Sequence, residues 1–474
     1  MLFNSLDFFL FFSTVLLLYY FLPKKYVWMM LLAASLFFYM CWKWEYIFLL
    51  FFPATIDFFV AKQIEKTAQQ RQKKMLLCIS IITNLGLLFY FKYFNFFLDS
   101  INTTSAWLGS PTLLHSAKIL LPVGISFYTF QSISYTVEVY RGNMIAEKNF
   151  GRFALFVSFF PQLVAGPINR PQVLLPQVNN LKPLEADNLI IGARRILWGL
   201  FKKVVVADRL AFFVNLVYNN PESYHGLSVL CATIFFAFQI YCDFSGYSDI
   251  AIGVAKMMGV DLMRNFNKPY FSSSIREFWS KWHISLSTWF RDYLYIPLGG
   301  NKVGMGRWIF NLFITFLVSG VWHGASVNFI IWGALHGLLI SLESLNQRKK
   351  FFNFKLPRWM GILWTFSAVC FAWIFFRANS LHDSFTIIKN LFDYSHSFIA
   401  EIRQSTGADL YNFAVGFPLI FSLLIFEGFW GNERVQYYFY AYRSVRFLSY
   451  LTLILFIALF GVLVSQSSFI YFQF

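Results

Sequence analysis

Histidine is the side chain whose proton exchange falls nearest neutral pH, and this chain has 7 of them. Two lie in apolar surroundings. His323 closes the apolar run 308–321, within Val-Ser-Gly-Val-Trp-His-Gly at 318–324. His283 sits in the tryptophan-rich stretch Trp-Ser-Lys-Trp-His-Ile-Ser-Leu-Ser at 279–287. An ionisable group at membrane depth is costly and marks function by default. An imidazole there can take the proton from a hydroxyl, so the expected chemistry is transfer of a group onto that hydroxyl. Taken alone, His323 also fits a helix end facing headgroups, and His283 fits the boundary of an interfacial helix. His336 follows His323 by 13 residues, roughly 20 Å along one helix. It is expected to pack rather than react, unless the chain breaks near Gly324.

Other polar residues interrupt apolar stretches. Asp243, Ser245 and Asp249 fall in 239–249, where they could orient a histidine, line a polar tunnel, or form a small-residue helix contact. Pro161, Gly166 and Pro167 break the run that ends at Arg170, which could meet an anion or simply flank a loop. Gln131 ends the Pro- and Gly-interrupted stretch 121–131, either as tunnel wall or at a close helix contact.

These side chains need elements to hold them. Over 271–300, Ile275, Phe278, Trp279, Trp282, Leu286, Trp289 and Phe290 fall on one side of a helical wheel. One amphipathic helix in or against the membrane is expected, opened by a cap from Ser272–Ser274 and ended near Pro297 and Gly299-Gly300. The run 189–217 carries Arg194, Arg195, Lys202, Lys203, Asp208 and Arg209, and is expected at the interface. Apolar runs elsewhere predict eleven to thirteen membrane-embedded segments, the first at 6–22 being a retained span rather than a signal peptide. Lys and Arg crowd 62–74 and are absent from 99–116. That places 62–74 in the cytoplasm and the N-terminus outside.

Composition bounds the class. Of 474 residues, 58% are hydrophobic, 22% aromatic and only 13% charged, which excludes a soluble enzyme. A net charge of +16 suits loops facing anionic lipid better than nucleic acid, for which no binding module is present. Cys41, Cys78, Cys231, Cys242 and Cys370 have no CxxC spacing, so neither a disulfide framework nor a metal site is expected. P-loop, GxSxG and HExxH motifs are absent.

Together, 121–131, 159–170, 239–249, 282–292 and 322–324 resemble the membrane-bound O-acyltransferase superfamily, above all the bacterial branch that O-acetylates alginate, peptidoglycan and other polysaccharides. The resemblance implies an all-α polytopic fold in a single domain over 1–474. Its motif-bearing core would cover 121–342, with C-terminal helices over 359–474, and a ring of helices would surround a central tunnel. It makes His323 the family's essential histidine and His283 the second histidine. It also makes Trp282, Ser287, Arg291, Asp292 and Trp322 substrate- or tunnel-lining candidates beside Gln131, Arg170, Asp243, Ser245 and Asp249. No bound cofactor is implied: the acyl donor, acetyl-CoA or an acyl carrier protein thioester, is substrate. The implied setting is the bacterial cytoplasmic membrane. A periplasmic SGNH-type acetyltransferase would be partner and a polysaccharide the acceptor. The D-alanyl transferases of teichoic acid look like close relatives with the same two histidines. A transporter or flippase without covalent chemistry is the alternative of another class.

Overall fold

The computed structural model describes residues 1–109, 114–115, 119–350, 357–404, 407–430, 441–462 and 469–470. Among these, every regular element is helical. Among the described residues, eight helices are long and apolar enough to cross a bilayer: Trp44–Lys66, Gln70–Trp107, Gly226–Met257, Met305–His323, Val327–Lys349, Arg358–Arg377, Leu410–Gly428 and Arg443–Phe460. The chain is thus an all-α polytopic membrane protein. Other apolar runs counted among the expected eleven to thirteen segments fold as shorter helices, such as Leu6–Phe21, Ile125–Tyr140 and Phe150–Ser158. These fall below the roughly 20 residues of a straight span.

The helices form two compact units, one of Met1–Ile196 with Ala251–Arg264, the other of Leu197–Ile250 with Asn265–Phe474. In the first, helices Ile47–Lys66, Gln70–Leu88 and Ile125–Tyr140 pack together. They bury Asp57, which accepts from Ser80 Oγ (2.5 Å) and Asn84 Nδ2 (2.9 Å). Those donors replace the water that a buried carboxylate gives up. Pro122 and Gly124 end the preceding irregular stretch, so the helix starts only at Ile125. Gly124 has φ +79°, and a Cβ there would lie 2.5 Å from Leu163 O. Only glycine combines that left-handed backbone with that approach.

In the second unit the π-helical turn Phe201–Ala207 leads into helix Asp208–Tyr218. The expectation of an interfacial 189–217 segment is corrected here. Lys202, Lys203, Asp208 and Arg209 are all buried. Lys202 Nζ bonds Ser245 Oγ (3.0 Å) and pairs with Asp249. Lys203 Nζ lies 2.7 Å from Asp208 Oδ1 and 2.6 Å from Asp243 Oδ1. Arg209 donates to Asn412 Oδ1 (2.8 Å) and Phe460 O. Buried charges persist when each has a partner, and Lys202, Lys203, Asp208 and Arg209 are satisfied internally, while Arg194 and Arg195 are half-buried. Gly199 and Gly246 let the two segments meet, since a Cβ on Gly199 would lie 2.7 Å from Gly246 O.

Helices Met305–His323 and Val327–Lys349 form a hairpin within this unit, turning through 324–326. Glycines set its spacing. A Cβ on Gly320 would stand 2.3 Å from Phe329 O and 2.9 Å from Gly333 Cα, and one on Gly324 would stand 2.2 Å from the Phe329 ring. Small residues of this kind bring helices close without a hydrophobic force between them.

Candidate active site

The single amphipathic helix expected over 271–300 is two helices. Ile275–Lys281 and Ile284–Phe290 are each seven residues long, and His283 joins them at φ +41°. A non-glycine residue in left-handed backbone persists only where its surroundings impose it. The irregular segment before Lys268 does so: Asn267 N donates to Lys281 O (2.9 Å) and Ile284 N to Asn265 O (2.8 Å). Ser287 Oγ reaches Trp282 O (3.1 Å) across the break. The aromatic stripe survives, for all seven of its residues are buried. Ser274 is the cap, its Oγ accepting from Glu277 N (3.1 Å). Partial burial works against ionising Glu277, but Lys281 Nζ (2.7 Å) and Ser273 N (2.7 Å) outweigh it and hold the carboxyl down at about 2. It therefore stays charged at physiological pH and anchors this helix.

His283 is 1% exposed, and its tautomer can be assigned. Asn265 Oδ1 accepts from Ser285 N (3.2 Å) and Ser285 Oγ (2.9 Å). The backbone N–H can only donate, so this atom is the amide oxygen. His283 Nδ1 lies 3.1 Å from the same oxygen and must carry the hydrogen. The lone pair of the neutral ring is then on Nε2. Asn265 Nδ2 in turn donates to Ser248 Oγ (3.1 Å).

Trp322 stands beside both histidines, its ring centroid 6.3 Å from that of His283 and 4.9 Å from that of His323. His323 ends its helix, 4% exposed. Trp332 (5.0 Å) and Phe376 (5.2 Å) meet it edge to face. Trp282 packs on Trp373 with centroids 5.1 Å apart. The chain does break at Gly324, so His336 is not stacked above His323 on one helix. Instead Trp332 separates them, 4.8 Å from His336. His336 Nδ1 accepts from Trp279 Nε1 (3.3 Å), the reverse polarity to His283, and its surroundings are aromatic.

The remaining candidates divide. Asp243, Ser245 and Asp249 meet lysines: Asp243 pairs with Lys203 and accepts from Ile470 N (2.7 Å), while Ser245 and Asp249 hold Lys202. Arg291 and Asp292 pair with each other at 2.7 Å near the surface, Arg291 being 59% exposed. Gln131 and Arg170 belong to the first unit. Gln131 Nε2 donates to Phe156 O (2.7 Å), and Arg170 is the N-cap of helix Pro171–Asn179. Asn265, Lys202 and Lys203 were missed as site-building residues. For the lysines the signal was present, since cations in an apolar run require anions and Asp243 and Asp249 needed cations. Asn265 gave none, being one polar residue in an irregular stretch.

An α-helical membrane protein with two buried histidines around one tryptophan is the class that fold and site define. The family model described as MBOAT, membrane-bound O-acyltransferase family, matches residues 144–382. The chain belongs to that family and is an O-acyltransferase. It is 40% identical over 388 residues to a protein named probable alginate O-acetylase from Pseudomonas syringae pv. tomato, covering 81% of this chain and 74% of the relative. A peptidoglycan O-acetyltransferase of Helicobacter pylori is 37% identical, covering 75% and 72%. A teichoic acid D-alanyltransferase of Bacillus subtilis is 31% identical, covering 55% and 69%.

Proposed function

We propose that this chain moves an acetyl group from a cytoplasmic thioester, acetyl-CoA or an acyl carrier protein, toward polysaccharide hydroxyls of the bacterial cell envelope. Acetyl is preferred to D-alanyl because identity and coverage are higher with the O-acetylating relatives. The immediate acceptor is the polysaccharide itself or the hydroxyl of an SGNH-type partner outside the cytoplasmic membrane that passes the group on.

His323 acts as general base and takes the acceptor O–H proton. The oxygen attacks the thioester carbonyl, the C–O bond forms as the C–S bond breaks, and the imidazolium returns its proton to the departing sulfur. With its hydrogen on Nδ1, neutral His283 accepts at Nε2 and does not donate there. It therefore orients the acceptor through a second hydroxyl or a bridging water that donates to Nε2, and developing negative charge is stabilised by other donors.

The observation that carries this reading is the placement of both buried imidazoles against Trp322, one with a fixed tautomer. The test uses full-length protein in proteoliposomes, with thioester cleavage and acyl transfer followed for acetyl-CoA, acetylated carrier protein and D-alanylated carrier protein. His323→Ala should cost about 10²–10⁴-fold in turnover while the protein still inserts. Parent-like turnover in that variant refutes the base assignment. Preferred turnover of the D-alanyl thioester refutes the choice of acyl group alone.

A further inference from the structure

We propose that His225, Asp393 and His396 form a binding site for a first-row divalent metal ion, zinc above all. One ring nitrogen from each histidine and one carboxylate oxygen of Asp393 lie within 4.8 Å of one another. Zinc–nitrogen and zinc–oxygen bonds of about 2.0–2.1 Å put tetrahedral ligand atoms roughly 3.4 Å apart. The three atoms thus need to close by up to about 1.4 Å around an ion. Three protein ligands of this type leave a fourth position for water or an incoming oxygen group.

The surroundings are built for it. Glu401 is buried and accepts from His225 Nδ1 (3.1 Å) and His225 N (3.1 Å), with Ser228 Oγ on its other oxygen. That carboxylate fixes the hydrogen on Nδ1 and leaves the Nε2 lone pair available to a metal, the arrangement that orients metal-binding histidines. Asp393 Oδ1 is held by Ser395 N (3.0 Å) and Ser395 Oγ (2.6 Å), while Oδ2 faces His396 Nδ1 at 3.7 Å. Ser395 Oγ also lies 3.1 Å from His396 Nδ1. Asn390 Nδ2 ties the two segments together by donating to Pro221 O (2.9 Å) and Tyr224 O (3.3 Å). Gly226 permits the approach, since a Cβ there would meet Asp393 O at 3.0 Å. The His225 and His396 rings are stacked, centroids 3.7 Å apart and 12° from parallel. His396, exposed and outside any helix, is the ring that turns to converge on the ion.

The cluster lies at the His323 end of the second unit. Asn328 Nδ2 donates to Ala378 O (3.1 Å) and Arg377 Nη2 to Asn215 Oδ1 (2.8 Å), which gathers 215–225, 323–328 and 377–396 at one end. Arg276, Lys281, Arg348, Lys349 and Arg358 gather at the other, where Arg276 bonds Ser344 (2.9 Å) and Arg358 faces Glu277 (3.7 Å). By the positive-inside bias the cluster end is the outer one, where an ion arrives from outside the cytoplasm. No CxxC or HExxH spacing marks this site, because His225 lies far along the chain from Asp393 and His396.

The test strips full-length protein in detergent with a chelator, then titrates zinc alone against a chromogenic zinc indicator. One zinc per chain is expected, with a rise in melting temperature that grows with free zinc. His396→Ala and Asp393→Asn should each weaken binding by at least about tenfold and lose the thermal shift. His115→Ala, which removes an exposed histidine of the first unit, should match the parent. Cobalt in place of zinc should give the visible absorption of a four-coordinate nitrogen–oxygen site in the parent and not in His396→Ala. No stoichiometric zinc on the parent, or equal affinity in parent, His396→Ala and Asp393→Asn, overturns the proposal.

Discussion

His283 depends on Asn265 more directly than on either aspartate near it in composition. The amide oxygen holds the Nδ1 hydrogen, and removing it frees the ring to swap tautomers or rotate. Asn265→Leu should therefore lower kcat by on the order of 10²-fold, within the range of a displaced acid–base group, and leave KM for the thioester nearly unchanged. Asn265→Asp keeps the acceptor and should recover much of that loss; equal loss in both variants would mean that Asn265 only supports the fold. His336→Phe keeps the aromatic packing around Trp332 and should retain turnover, whereas His323→Phe should not. Comparing their rates under saturating donor tests the proposed division between a packing and a reacting histidine. At this scale the sequence was informative where a residue was out of place. His323 and His283 stood out as rare ionisable groups among apolar ones. Asn265 did not, because its importance comes from a contact 18 residues away across a left-handed turn.

The elements around the site are fixed by close backbone contact and by paired charge. The hairpin that carries His323 has no room at Gly320 or Gly333. Gly320→Val should force the helices apart and cost about 1–3 kcal/mol, the usual penalty of overpacking, read as a lower melting temperature with loss of activity. Lys203 neutralises Asp208 and Asp243 together. Lys203→Met strands two buried carboxylates and should cost about 3–5 kcal/mol, whereas removing both aspartates along with the lysine should restore much of it. A triple variant no more stable than Lys203→Met would argue against that pairing. Period-based reading located the aromatic face of 275–290 correctly but ran it through as one helix. The wheel takes no account of the hydrogen bonds from 265–267 that impose the break. The same blindness to distant partners put 189–217 at the interface, since charge in an apolar run signals water unless the opposite charge is known to be near.

For the molecule as a whole, apolar content fixed the membrane class, and the resemblance across five short stretches fixed the family. The number of full spans was less legible, because a run of apolar residues does not reveal where Pro, Gly or a π-helical turn divides it. Sidedness remains a matter of charge. Lys and Arg concentrate at the Arg276, Arg348 and Arg358 end of the second unit. In a cysteine-free background, Arg348→Cys should react with an impermeant thiol reagent only from the cytoplasmic side, and His382→Cys only from outside. The reverse pattern would invert the orientation. The rings around His323 have one more consequence. Among 15 tryptophans, Trp322 and Trp332 touch this imidazole directly. A protonated imidazole quenches indole emission more strongly than a neutral one does, so gain and loss of a proton at His323 becomes an intrinsic optical signal, readable in unlabelled protein and silent once His323 is replaced.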